Sequence, residues 1–120
     1  MAALAYSEVA SALRVALPEF AAAIDEHVAY NERLLTHLLF GDLTRFVLDA
    51  HKRGDDDLVR RALEFLDSAL REGDDAVQNL VSVSFIENVG PWEPNQAHFI
   101  ASWPDALRSD AEQQRDWRPS

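Results

Sequence analysis

The 120-residue chain contains no cysteine. This absence excludes disulfides, zinc–thiolate sites and a cysteine nucleophile, and it is typical of proteins that fold in a reducing compartment. Only four glycines are present, too few for a phosphate-binding loop. No apolar run is long enough to cross a bilayer, and the N-terminus has no basic residue before its apolar part, as a secretory signal would. We therefore expect one cytoplasmic domain over residues 1–120 with no membrane contact.

Positive charge is also scarce. Eleven Lys and Arg stand against twenty-one Asp and Glu, which gives a net charge of −10 and a pI near 4.6. Direct binding to nucleic acid or to an anionic membrane requires a basic surface, so we expect neither partner. An acidic surface accelerates encounter with a basic protein, although acidity also serves solubility alone. The charge therefore favours a basic protein partner.

The least polar stretch is 76–89, AVQNLVSVSFIENV. Part of it alternates apolar side chains with serine, which is the period of a β-strand. Its flanks favour a helix instead, because Asp74 or Asp75 can cap the first turn and Gly90, followed by Pro91, can end the last. We predict a central helix that is covered by neighbouring helices on more than one side.

The other apolar patterns also have the helical period. Gly41 and Asp42 are expected to end the second helix and begin the third, with Asp42 as the N-cap. Predicted helices cover about residues 7–17, 18–39 with a break near residue 30, 42–53, 55–72, 76–89, 95–101 and 105–114. The fold class is therefore all-α, a bundle of six to seven helices in antiparallel hairpins with HEAT-like stacking. Residues 116–120 are expected to fray.

Two further expectations concern side-chain placement. Leu66 and Phe85 lie at the centres of their apolar stripes and are predicted core residues. Asp67 and Arg71 have the i,i+4 spacing of an ion pair on the outer face of the fourth helix.

Catalytic and metal-binding patterns are weak. No two of the four histidines have i,i+3 or i,i+4 spacing, so no metal site and no cofactor are predicted. Glu87 follows the apolar face of the central helix and is predicted to be a buried polar residue paired with His37 or Arg45. The alternative is a catalytic carboxylate that acts with a histidine.

Acidic clusters begin two predicted helices, where capping explains much of them. Three consecutive carboxylates exceed what a cap requires, which leaves room for a binding role. In an up-down bundle, alternate loops share an end, so the turn after the central helix should adjoin the triplet. The first-choice partner-binding surface is Asp55, Asp56, Asp57, Trp92 and Glu93. The second choice, at the opposite end, is Asp42, Asp74 and Asp75. Trp92 either anchors the partner or folds inward over the helix ends.

Three short segments carry a family resemblance: HLLFGDLTR at residues 37–45, SFIENV at 84–89 and WPDALR at 103–108. Over residues 18–108 the chain resembles a family of small, acidic, all-helical bacterial proteins that are similar to immunity proteins of toxin systems. The resemblance implies a helical fold and a toxin-related context, and it supplies no catalytic residues.

Taken with the charge, this resemblance predicts a non-catalytic inhibitor that occludes a cognate toxin domain with a basic surface. One alternative is a helical scaffold or adaptor module that binds a host protein. The other is a small enzyme that uses Glu87 with a histidine.

Overall fold

The computed structural model describes residues 4–117, and within that range the chain is all-helical. Seven helices follow one another: α1 (Val9–Ala16), α2 (Ala21–Asn31), α3 (Thr36–Arg53), α4 (Asp56–Glu72), α5, α6 (Ala97–Ala101) and α7 (Asp105–Trp117). Helix α5 runs from Asp75–Val81 through a π-helical turn, Ser82–Ile86, to Glu87–Val89. Short 3-10 turns precede α1, α2 and α6. The predicted fold class is confirmed, including the segment 82–85 where a strand was the alternative.

The predicted break at Gly41 and Asp42 is wrong, because α3 runs through both residues without interruption. The buried side chains on either side form one continuous helical stripe: Leu39, Phe40, Leu43 and Val47. Glycine in a helix interior costs only about 1 kcal/mol, which this burial outweighs. The break predicted near residue 30 is confirmed, because α2 ends at Asn31 and Glu32 adopts a left-handed φ of 62°.

Helix α5 lies at the centre of the hydrophobic core, as predicted. It packs against α3, α4 and α7, and Leu80, Val81, Phe85 and Ile86 are fully buried. Leu66 on α4 is buried as well, so both predicted core centres are confirmed. Val83 is the exception, since 43% of its surface is exposed to solvent.

Side chains from α3, from α7 and from the last turn of α5 donate hydrogen bonds to the carbonyls of the π-helical turn. The Ser82 carbonyl accepts from Gln114 Nε2 at 3.0 Å. The Ser84 carbonyl accepts from Thr44 Oγ1 at 3.2 Å and from Asn88 Nδ2 at 2.7 Å. A π turn disturbs the regular helical hydrogen bonding, and these donors satisfy its buried acceptors.

The ends of α5 have the predicted caps. Asp74 Oδ1 accepts from the Val77 amide at 2.9 Å, and Asp74 Oδ2 accepts from the Tyr6 amide at 3.2 Å. Gly90 ends the helix with a left-handed φ of 85°. The segment predicted to fray, residues 116–120, is described only in part: Asp116 and Trp117 belong to α7, and residues 118–120 lie outside the described residues.

A charged cluster on the surface links α4 to the turn before α2. Arg61 Nη1 donates to Glu19 Oε1 at 2.9 Å, and Arg61 Nε donates to Asp57 Oδ2 at 2.9 Å. The hydrogen bonds from Arg61 lower the pKa of Glu19 to about 2 from an ordinary value of 4.5. Because this pKa is lowered by folding, the cluster stabilises the fold above about pH 4.5 and loses that contribution as the pH falls toward 2.

We therefore expect Glu19→Gln to reduce the acid sensitivity of the fold. Urea midpoints measured between about pH 6 and about pH 3 should fall less steeply for this variant than for the wild-type chain. Glu87→Gln removes an exposed carboxylate elsewhere and serves as the control. Equal slopes for wild type and Glu19→Gln would show that this pair does not contribute to acid sensitivity.

Candidate binding groove

The predicted acidic triplet is largely engaged in contacts within the chain. Asp55 Oδ1 accepts from the Leu58 amide at 3.5 Å and caps α4. Asp57 Oδ1 accepts from Arg60 at 2.7 Å, in addition to its contact with Arg61. The hydrogen bonds from the two arginines lower the pKa of Asp57 below its ordinary value. Asp56 is exposed, so the triplet presents less available charge than its sequence indicates.

Trp92 and Glu93 follow Gly90 in the turn after α5. Trp92 is half-buried and Glu93 is exposed. A Cβ on Gly90 would lie 4.0 Å from Trp92 Cε2, which shows that the indole ring lies close to the end of α5. The start of α4 adjoins other aromatic residues, since Asp56 shares a groove of about 410 Å³ with Phe99 and Trp103.

One premise of the second-choice surface is wrong. Asp42 does not lie in a loop but inside α3, with Oδ2 3.9 Å from His27 Nδ1 of α2. Asp74 lies in the turn between α4 and α5 and binds the amides of Tyr6 and Val77. Asp75 is exposed in the first turn of α5.

The predicted buried polar group is also wrong, because Glu87, His37 and Arg45 are all exposed. His37 Nδ1 lies 2.5 Å from Ser84 Oγ, and Arg45 pairs with Asp42. The π turn explains the error. Its extra residue rotates the remainder of α5, so that Ser84 faces inward and Glu87 faces solvent.

A wide groove between α2 and α3 has the geometry of a binding surface. Its volume is about 880 Å³. Residues with i, i+3, i+4 and i+7 spacing on each helix supply most of its lining. On α2 these are Ala23, Glu26, His27 and Tyr30, and on α3 they are Asp42, Arg45, Phe46 and Asp49. The groove is therefore framed by two regular helices.

Negative charge predominates in this groove. Three carboxylates line it, and the single arginine, Arg45, pairs with Asp42. Glu26 and Asp49 are exposed, and no cation of residues 4–117 lies within 4.0 Å of either. These two carboxylates are available to a basic partner without loss of an internal ion pair.

Aromatic side chains flank the carboxylates. Tyr30, at the end of α2, has 89% of its surface exposed. Phe46 is partly buried, and its ring centroid lies 5.1 Å from that of Phe20. The sequence predicted an aromatic anchor beside carboxylates around Trp92. In the structure, α2 and α3 carry the same combination: the exposed Tyr30 with Glu26 and Asp49.

His27 lies against the groove with only 2% of its side chain exposed. Its Nε2 accepts a hydrogen bond from the Leu35 amide at 3.0 Å. On the other side of the ring, Nδ1 lies 3.4 Å from Asn31 Nδ2 and 3.9 Å from Asp42 Oδ2. The Asn31 amide nitrogen donates to the His27 carbonyl at 2.8 Å.

Sequence reasoning missed this groove because it placed Asp42 in a loop as an N-cap and could not show which face of α2 lies beside which face of α3. The matching spacing of acidic and aromatic residues on the two helices was the available signal. Within residues 4–117, no group of three His, Asp or Glu side chains is arranged to hold a metal ion. In the same range, the helices are too short or too polar to cross a membrane.

A family model described as a domain of unknown function (DUF7674) matches residues 10–118. No curated protein and no solved structure matches the chain. The HEAT-like stacking and the resemblance to immunity proteins therefore stay predictions.

Proposed function

The chain belongs to the DUF7674 family of domains of unknown function, and we propose that it is a non-catalytic binding protein for a partner with a basic surface. Its most specific form is an immunity protein that binds a cognate toxin domain and blocks access to the toxin's basic active-site cleft. This protein requires no cofactor for that role, because occlusion involves no chemistry.

The observation that carries the proposal is the α2–α3 groove. Glu26 and Asp49 can steer a basic partner, which raises the association rate. Tyr30 can supply the buried area that slows dissociation, since exposed tyrosines are enriched among residues that dominate binding energy. The net charge of −10 acts in the same direction at long range.

The proposed interface is therefore the α2–α3 groove and not the first-choice surface around Asp55–Asp57. At that surface, a partner must compete with Arg60 and Arg61 for Asp57 and with the Leu58 amide for Asp55. At the groove, Glu26 and Asp49 present no such competition.

The alternative functions differ in what supports them. The enzyme hypothesis gains no support from Glu87, which is exposed, or from His37, which contacts Ser84. A scaffold or adaptor would use the same groove, and it differs from an immunity protein in giving no protection against a toxin.

The test is co-expression with a toxin domain captured from the native host by pull-down and identified by mass spectrometry, with growth as the readout. The wild-type chain should restore growth. The double variant Glu26→Gln, Asp49→Asn should protect poorly, and its association with the toxin domain at low salt should be about tenfold slower.

A matched double variant, Asp56→Asn with Glu93→Gln, makes the same change in net charge at two exposed members of the sequence-predicted surface. It should protect as well as the wild-type chain. If this variant loses protection and the groove variant keeps it, the interface lies at the Asp55–Asp57 end and not at the groove. Failure of the wild-type chain to protect would overturn the immunity function.

A further inference from the structure

The hydrogen bond to the Leu35 amide fixes the tautomer of His27. A backbone N–H is always a donor, so Nε2 of His27 must be unprotonated to accept from it at 3.0 Å. The neutral ring therefore carries its proton on Nδ1. The side chain is buried apart from 2% of its surface.

The Nδ1–H group has no acceptor within hydrogen-bonding distance among the described residues. Asn31 Nδ2, at 3.4 Å, is itself a donor and is bound to the His27 carbonyl. Asp42 Oδ2 lies 3.9 Å away, beyond a hydrogen bond. Both His27 and Asp42 line the groove, and Nδ1 is the ring nitrogen on the side of Asp42. Buried donors in native proteins nearly always have a partner, and the groove is where one can approach.

The chemistry of this donor restricts the occupant. A protonated Nδ1 cannot coordinate a metal ion, because coordination uses the nitrogen lone pair. A group with an acceptor oxygen can satisfy it, and a peptide carbonyl is one such group. The occupant must also match the charge of Glu26 and Asp49, which calls for a cation beside that acceptor. A basic residue within a peptide provides both.

Arginine fits the groove better than lysine. Its planar guanidinium stacks on aromatic rings and presents five N–H donors, so it can bind carboxylates from two helices together. The groove offers Tyr30 and Glu26 on α2 and Asp49 on α3. The lysine ammonium is a compact charge that stacks less well.

We propose that the α2–α3 groove binds an arginine-containing peptide segment of the partner. One backbone carbonyl of the segment accepts from His27 Nδ1–H, and its guanidinium is held by Glu26 and Asp49 beside Tyr30. This inference rests on the proposed function and names the chemical class that the groove recognises.

The test uses the full-length chain and synthetic peptides rather than a toxin. A capped peptide with a single central arginine among Gly and Ser is titrated calorimetrically at low salt. Replacing its arginine with citrulline, which is neutral and nearly isosteric, should weaken binding about tenfold or more. Lysine in that position should give intermediate affinity.

Chain variants locate the binding. The double variant Glu26→Gln, Asp49→Asn should lose the preference for arginine over citrulline, whereas the matched variant Asp56→Asn, Glu93→Gln should keep it. The proposal would be overturned if the wild-type chain bound neither peptide or bound both equally. It would also be overturned if both chain variants lost the preference equally, because binding would then reflect the general acidity of the chain.

Imidazole NMR of the wild-type chain tests the histidine contact without a destabilising substitution. Long-range ¹H–¹⁵N spectra should show His27 protonated at Nδ1, and this N–H resonance should move downfield when the arginine peptide is added. Guanidinium ion alone should occupy the carboxylates and leave the resonance in place. An Nε2-protonated ring, or no response to the peptide, would overturn the carbonyl contact. Because no toxin is involved, these results are independent of the growth assay.

Discussion

Replacing Phe85 with alanine should lower the free energy of unfolding by about 3–5 kcal/mol. Phe85 is fully buried on α5, within the helix that packs against α3, α4 and α7. Its ring centroid lies 5.7 Å from that of Trp103, so truncation removes an aromatic contact and leaves a cavity at the centre of the core. Urea unfolding followed by circular dichroism measures the loss.

Val83→Ala is the matched control, because Val83 lies in the same π-helical turn and is 43% exposed. Its effect should stay below about 1 kcal/mol. Leu66→Ala, on the buried face of α4, should cost about 2–5 kcal/mol. If Phe85→Ala lowers the free energy of unfolding no more than Val83→Ala does, then the face of α5 that carries Phe85 does not pack in the core.

The contrast between Phe85 and Val83 shows what the sequence predicted about α5 and what it did not. Apolar period and flanking breakers predicted the helical state of α5 and its central position. They could not predict the π turn, because the interruption is stabilised by donors from α3 and α7, including Thr44 and Gln114. These contacts depend on tertiary structure, and the burial predicted for Glu87 is wrong as a result.

The groove was missed for a related reason. Gly41 and Asp42 have the local preferences of a helix boundary, yet the buried stripe on both sides keeps α3 continuous. Local preference here amounts to about 1 kcal/mol, whereas each buried leucine or phenylalanine contributes about 1.5–3 kcal/mol. Asp42 was therefore expected in a loop rather than on the helical face that also carries Asp49, and the sequence did not show that this face lies beside Glu26 and Tyr30.

The acidic triplet illustrates a third limit. Sequence reasoning assigned capping and binding to Asp55, Asp56 and Asp57 without dividing the roles among them. The structure gives the cap to Asp55 and two arginine contacts to Asp57. One of those arginines also binds Glu19, thirty-eight positions before Asp57 in the chain. Such long-range pairing has no local sequence signal.

Asp67 provides the second large expected effect. The sequence predicted its pairing with Arg71, and that pair is confirmed at 2.9 Å. The predicted outward position is wrong, since Asp67 is 7% exposed and Oδ1 accepts from the Leu107 amide at 3.0 Å. Leu107 lies in the first turn of α7, where amides lack helical partners. A carboxylate on α4 therefore caps α7 and fixes its position.

Asp67→Ala should lower the free energy of unfolding by about 2–4 kcal/mol, because it leaves a buried amide without an acceptor and Arg71 without its partner. Asp67→Asn keeps a carbonyl oxygen at the capping position and should cost about half as much. Arg71→Gln removes only an exposed cation and should cost less than about 1 kcal/mol. Urea unfolding gives the three values.

Amide hydrogen exchange separates the capping contact from the ion pair. In Asp67→Ala the Leu107 amide should exchange faster than amides in the middle of α4, since the loss is concentrated at the start of α7. In Arg71→Gln the Leu107 amide should keep its protection, because Asp67 still accepts from it. If Arg71→Gln destabilises as much as Asp67→Ala, the ion pair within α4, rather than the hydrogen bond to the Leu107 amide, accounts for the stability that Asp67 contributes.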